Sequence, residues 1–212
     1  MVPKRRLSYL ASAAVVGCMA GAIGCGGSPS GPSGSGSLRV MLKDSPFHDA
    51  SAVLVTFNEV SVHQDTDADF TPLTFAGAAT SRTCDLLRLQ KDNAQDVLGI
   101  GTLDAGHYTQ VRLAVAEAKL YLGDQPSTGD ACGPGDIAHV TGLVPPPTPP
   151  DTVVPLTIPS GEVKLNREFD VPEGGTTLMS LDFDGDHSII QTGNGRYMMK
   201  PVVAVVSVSS PH

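Results

Sequence analysis

The chain has 212 residues, with 14 Lys and Arg against 22 Asp and Glu and a formal net charge of -8 with His neutral. A surface of that sign repels nucleic-acid phosphates and anionic headgroups, so nucleic-acid binding is excluded, while cation binding and basic partners stay open. Aromatic residues make up 5% of the chain and Trp is absent, which removes the stacking platform typical of carbohydrate-binding modules.

At the N-terminus, Lys4, Arg5 and Arg6 precede an apolar stretch from Leu7 to Ile23. Those 17 residues include five Ala, whereas a spanning helix needs about 20 strongly apolar residues, so the stretch reads as a cleaved signal. Ala22-Ile23-Gly24-Cys25 resembles the lipobox of bacterial lipoproteins. Val15-Val16-Gly17-Cys18 matches the same pattern, but processing there leaves the signal only about ten apolar residues, near its lower limit. From Gly26 to Ser37 the chain is Gly, Ser and Pro alone, a tether with a root-mean-square reach of about 20 Å. The tether begins directly after Cys25, which favours Cys25 over Cys18. The resemblance implies an exported protein held on a membrane by acyl chains, palmitate among them, on residue 25. Gly26 is not the Asp that retains some lipoproteins on the inner membrane, which points to the outer membrane where the host has two. Residues 1–24 are thus a signal, 25–37 the lipidated cysteine and tether, and 38–212 a folded domain. Removing the signal takes three basic residues and no acidic one, leaving a net charge of about -11.

The remaining 175 residues suffice for one core burying about 70% of the unfolded surface. Helical periodicity is not sustained in any window, and alternating apolar runs bounded by Gly, Pro, Asp and Asn recur, so the domain is expected to be all-β. Leu38, Val40 and Leu42 share one face of a first strand that ends at Asp44-Ser45-Pro46. Val53, Val55 and Phe57 share a face of the second, and after Glu59 the apolar positions move to Val60 and Val62. The long strand from His107 repeats that slip: Val111, Leu113 and Val115 alternate, Glu117 follows, then Leu120 and Leu122 take over. Strands slip in this way at bulges and sandwich corners. Asp85 to Leu89 is a short apolar element, and Gln90 to Leu98 is the expected place for a helical turn or two. Gly123 to Pro150, with its Gly and Pro clusters, is expected to be a long surface loop ending in a polyproline II spacer. Strands return at Val153 to Ile158, Val163 to Val171, Thr176 to Phe183 and Tyr197 to Val208, the last with Pro201 marking an edge or a bulge.

Four segments carry a resemblance: Ala105-Gly106-His107-Tyr108-Thr109-Gln110-Val111-Arg112-Leu113; Ile158-Pro159-Ser160-Gly161 with Lys164-Leu165; Leu181-Asp182-Phe183-Asp184; and Gly195-Arg196-Tyr197-Met198-Met199-Lys200-Pro201-Val202. In this order they are similar to the motifs of a bacterial lipoprotein family catalogued as domain of unknown function 4382. The resemblance runs from about Leu38 to Val208 and implies an exported, often lipid-anchored, prealbumin-like β-sandwich with no established activity. The two remaining cysteines and the proline-rich insertion depart from the family pattern.

Cys84 and Cys132 are the cysteines left after the leader, and export predicts a disulfide between them, the other reading being two unrelated thiols. Hydrolase signatures such as Gly-x-Ser-x-Gly, His-Glu-x-x-His and Ser-x-x-Lys are absent, and the six His lack pair spacing for zinc. Asp182, Asp184 and Asp186, and likewise Asp65, Asp67 and Asp69, place three carboxylates at alternate positions, a pattern that suits calcium. The competing reading makes Asp182 and Asp184 a polar strand face neutralised by Lys200 or Arg196, and Asp65 to Asp69 a solvated hairpin loop. Tyr108 reads either as a core tyrosine whose hydroxyl fixes a sandwich corner or as a ligand-contacting aromatic. The expected function is therefore a non-catalytic, lipid-anchored module of the cell envelope that binds or scaffolds an envelope protein or polymer. No cofactor is expected unless calcium binds. The rival is a divalent-cation-dependent enzyme acting on an envelope polymer, which would require a His, a carboxylate and a cleft in one place.

Overall fold

Alternation of apolar residues produces two sheets that bury their facing sides against each other. The computed structural model describes residues 34–45, 50–89, 95–123, 130–135 and 152–210. The signal, Cys18, Cys25, most of the tether and the proline-rich segment lie outside the described residues. The first sheet takes β1 (Ser35–Ser45), β4 (Thr74–Phe75), β6 (Asp96–Asp104), β11 (Thr176–Asp184) and β14 (Val203–Ser209), ordered β14-β11-β1-β6-β4. The second takes β2 (Ala52–Gln64), β5 (Arg82–Asp85), β7 (Gly106–Leu122), β8 (Cys132–Pro134) and β10 (Glu162–Val171), ordered β10-β7-β2-β5-β8. Here β3 (Phe70–Pro72) also pairs with β2, and β9 (Thr152–Pro155) with β7. A small separate ribbon joins β12 (Ile189–Gln191) to β13 (Tyr197–Met199). All pairings between strands are antiparallel except β1 with β11. Leu38, Val40 and Leu42 of β1 and Val53, Val55 and Phe57 of β2 are fully buried in one continuous core. The domain is an all-β sandwich.

The two phase slips turn out to be one feature. β2 and β7 are neighbours, and their register passes from Thr56↔Glu117 to Phe57↔Val115 to Glu59↔Ala114. Ala116 and Asn58 are the residues skipped, so each bulge falls one residue before its Glu, and the two face each other across the ladder. Two consecutive residues are exposed at each place, Asn58-Glu59 and Ala116-Glu117, and the buried set resumes with the opposite parity at Val60 and Ala118. A slip in one strand alone would turn its remaining apolar residues to solvent, whereas a matched slip keeps both strands facing the core.

Several expectations are corrected. The first strand begins at Ser35, so the last residues of the expected tether are already in the sheet. Gly36 is buried there, and the position takes glycine because a Cβ would stand 2.3 Å from the carbonyl oxygen of Pro172. The helical turn is α1 (Leu86–Leu89), which plugs the core with Leu86 and Leu89. Leu98 belongs to β6, and 90–94 lie outside the described residues. Val153 to Ile158 is strand only as far as Pro155. Tyr197 to Val208 is two strands separated at Lys200-Pro201-Val202, with β14 at a sheet edge as Pro201 indicates. Within the expected loop from Gly123 to Pro150, Cys132–Pro134 forms β8. Cys84 and Cys132 are register partners on β5 and β8, joined by a disulfide with Cα atoms 4.1 Å apart.

This disulfide encloses a separation of 48 residues, which the chain-entropy account converts to about 4 kcal/mol of stabilisation. The double variant Cys84→Ala, Cys132→Ala is expected to lose stability of that order in chemical denaturation, and the native protein to weigh two hydrogens less than its reduced form; two free thiols titrating in native protein would contradict it. Gly36→Ala is expected to cost about 2 kcal/mol, because the neighbouring atom is backbone. An unchanged denaturation midpoint would show that the Pro172 turn moves freely.

Candidate functional site

Three turns and the start of β1 meet at one end of the sandwich. The β2–β3 loop supplies Asp65, Thr66 and Asp67, the β6–β7 turn Asp104 to His107, and the β10–β11 turn Glu173 and Gly174. With Gly34, Ser35 and Gln64 they line a cleft of about 950 Å³. Backbone hydrogen bonds fix the walls: Ala105 N–H donates to Gly34 O (2.8 Å), Gly174 N–H to Ser35 O (2.8 Å) and Asp65 N–H to His107 O (3.0 Å). Tyr108 sets the corner, its hydroxyl donating to Asp104 O at 2.9 Å while its ring stacks on Phe169 at 5.3 Å. Burial, then the charges of Asp104 and Asp67, push the Tyr108 hydroxyl up to about 12. The corner reading of Tyr108 therefore holds, and the proton needed for that hydrogen bond is secure at any physiological pH.

Among the described residues, four in the lining are carboxylates, Asp65, Asp67, Asp104 and Glu173, and none is Lys or Arg. The cleft is thus a solvated region of negative potential, suited to drawing in cationic groups over about one Debye length, ~8 Å at physiological salt. Among the described residues His107 is the one titratable cation on its wall. Its Nδ1 lies 2.9 Å from Asp170 Oδ1, and that hydrogen bond raises its pKa above the ordinary 6.5 against the opposing effect of desolvation, with the charges of Asp170, Glu168 and Asp65 adding to the rise.

The other expected cluster does not converge. Asp182 sits opposite Lys43 in the β1–β11 register and pairs with it at 2.9 Å, not with Lys200 or Arg196. Asp184 caps the single turn α2 (Gly185–Ser188), accepting from His187 N–H at 3.0 Å and lying 2.8 Å from His187 Nδ1. Asp186 is exposed on that turn. Among the described residues no three His, Cys, Asp or Glu side chains gather as a metal-binding group. The Asp65 to Asp69 segment is a hairpin loop, as the competing reading has it, and two of its three aspartates, Asp65 and Asp67, enter the cleft. Asp104 and Glu173 carry no spacing signal of their own in the sequence, since they join Asp65 only through the fold.

The family model described as Domain of unknown function (DUF4382) matches residues 35–201, from the first residue of β1 to the Pro201 break, and the chain belongs to that family. No curated protein and no solved structure matches the chain.

The His107–Asp170 pair makes a prediction with a definite sign. Because the folded pKa is raised, the stabilisation it provides is complete below the unfolded value near 6.5 and is lost as pH rises through the folded value. An NMR titration of His107 should give a midpoint above 6.5, and Asp170→Asn should lower it; a midpoint unmoved by that substitution would deny the pairing in solution.

Proposed function

We propose that this chain is a non-catalytic, lipid-anchored module of the cell envelope that binds or scaffolds an envelope protein or polymer, and that the acidic cleft receives a cationic group of that partner. The observation that carries the reading is the cleft itself, four carboxylates with no lining Lys or Arg among the described residues, mounted on turns of the sandwich. The leader, the lipobox-like Ala22-Ile23-Gly24-Cys25 and the Gly/Ser/Pro segment support the anchor. With β1 starting at Ser35, the tether left after Cys25 is residues 26–34, which gives the domain a range on the order of 15–30 Å from a bilayer. Gly26 supports the outer membrane as the address in a two-membrane host.

A second reading has one observation in its favour. His107, hydrogen-bonded to Asp170, stands on the wall of a carboxylate-lined cleft, the juxtaposition that a divalent-cation-dependent enzyme on an envelope polymer would need. Turnover of the polymer separates the two: an enzyme shows it in the native chain and loses it in His107→Ala, whereas a binder shows none in either form.

The test uses the full chain in intact cells. Cys25→Ser is expected to move the protein out of the membrane fraction and to end incorporation of labelled fatty acid; continued labelling, lost instead on Cys18→Ser, would move the anchor to residue 18. Cross-linked capture of a partner is expected from the native chain and is expected to fall about tenfold in Asp65→Asn, Asp67→Asn, Glu173→Gln, with folding unchanged. Capture that is indifferent both to these substitutions and to salt would remove the cleft from the function.

A further inference from the structure

β10 and β14 are the terminal strands of the two sheets, and they lie side by side. Each pairs on one edge only among the described residues, so two rows of backbone N–H and C=O groups border the same seam. The seam is closed at its far end by Thr177 of β11, whose hydroxyl donates to Asp170 O of β10 (2.8 Å) and lies 2.9 Å from Ser210 Oγ just past β14; at its near end it is stitched, with Thr157 N–H donating to Tyr197 O (3.3 Å) and Met199 N–H to Thr157 O (2.8 Å). Beyond that stitch it opens into a groove of about 470 Å³, whose floor includes Val163, Leu165, Met198 and Val203, and continues past Val205 to Arg167. Along Glu162 to Arg167 the groove offers about 17 Å, room for a strand of five or six residues.

Ordinary edge strands are blunted by Lys, Pro or a bulge. Here β14 reads Val-Ala-Val-Val-Ser-Val-Ser, without charge or proline, and its register shift falls at Val206, leaving Val203–Val205 regular. The rim is cationic in a chain of net charge -8: Lys200 at the stitched end, Lys164 midway and Arg167 at the far end. Lys164 shares Glu162 with Arg112, while Lys200 and Arg167 form no ion pair among the described residues. Two of the four segments that carry the family resemblance, Ile158 to Leu165 and Gly195 to Val202, meet at this groove although the protein's cleft uses neither.

We propose that the β10–β14 seam accepts an extended segment of a partner polypeptide, inserted as a strand between the two edges, apolar at its centre and bearing carboxylates that meet Lys200 and Arg167. Main-chain hydrogen bonds to one or both edges give affinity, the Val163, Leu165 and Val203 floor takes alternate side chains, and the rim cations select for acidic flanks. This site is separate from the acidic cleft and opposite to it in charge, so it stands or falls independently of that reading.

The test uses the full chain in detergent and three labelled nine-residue peptides with the same alternating valine and threonine centre, flanked by glutamate, glutamine or lysine. The glutamate peptide is expected to bind about tenfold more tightly than the glutamine one and the lysine peptide least. Hydrogen exchange should slow at 162–167 and 203–205 when it binds. Lys200→Glu with Arg167→Glu, both exposed and expected to fold normally, should invert the order, while Asp65→Asn with Asp67→Asn should leave it unchanged. Absence of binding by all three at millimolar concentration, binding indifferent to flank charge, protection elsewhere, or a dimer whose β14 amides are protected before peptide is added would each overturn the proposal.

Discussion

The matched bulges of β2 and β7 are the constraint on which the sandwich depends. These two strands form the longest ladder of the second sheet, twelve paired positions from Ala52↔Tyr121 to Gln64↔Tyr108, and most of the inner face is built on them. Bulges increase local twist and bend a strand, which lets a long ladder follow the core. Their matching is enforced by burial. Val60, Val62, Val111 and Leu113 on one side of the slip and Val53, Val55, Ala118 and Leu120 on the other are all buried, and an uncompensated shift would expose one of these groups. At about 1.5–3 kcal/mol per buried Val or Leu, exposing four such side chains would cost about 6–12 kcal/mol, comparable with a typical domain's whole net stability of ~5–15 kcal/mol.

The same ladder explains what was legible in the sequence. Strand identity and inner faces were visible because alternation is a local consequence of the two-residue repeat, and so was the phase slip in each strand. That the slips face each other was not, since two residues separated by some sixty positions announce no register. The ion partners of Asp182 and Asp184 failed for a related reason. Lys43 meets Asp182 through a parallel pairing across 139 residues, whereas Lys200 and Arg196 looked nearer only along the chain. The Tyr108 corner was readable because its acceptor, Asp104 O, is four residues away. Gly36 was misread as linker because composition reports flexibility and not the close approach of Pro172. The cleft was half visible, with Asp65 and Asp67 in a loop pattern and Asp104 and Glu173 brought to them only by the topology.

The two surfaces divide along the architecture. Turns at one end of the sandwich carry the carboxylates, where solvation lets like charges coexist at modest cost. The edges of the sheets carry an apolar floor with Lys and Arg at its rim, where the backbone itself is the binding group. A partner reading both would need a basic portion and an acidic strand, a combination available to a polypeptide and not to a small cation.

Closure of the sandwich is asymmetric, and the asymmetry locates the open seam. On the β5–β6 side, Arg82 of the second sheet reaches Asp96 of the first at 2.7 Å, with 9% and 27% of the side chains exposed, and Cys84–Cys132 secures β8 to the same border. A charged hydrogen bond so little exposed is worth about 2 kcal/mol, and the covalent bond adds its own restraint. The β10–β14 side has the Thr157 stitch at one end and the Thr177 bridge from Asp170 to Ser210 at the other, and between them two edges separated by a groove lined by Val163, Leu165 and Val203. Unpaired edges around an apolar groove leave hydrogen-bonding capacity and apolar burial unrealised together, and one extended strand supplies both at once. The fixed border on the other side means that such a strand enters a seam held in place by the rest of the sandwich, so little ordering of the receptor opposes its binding.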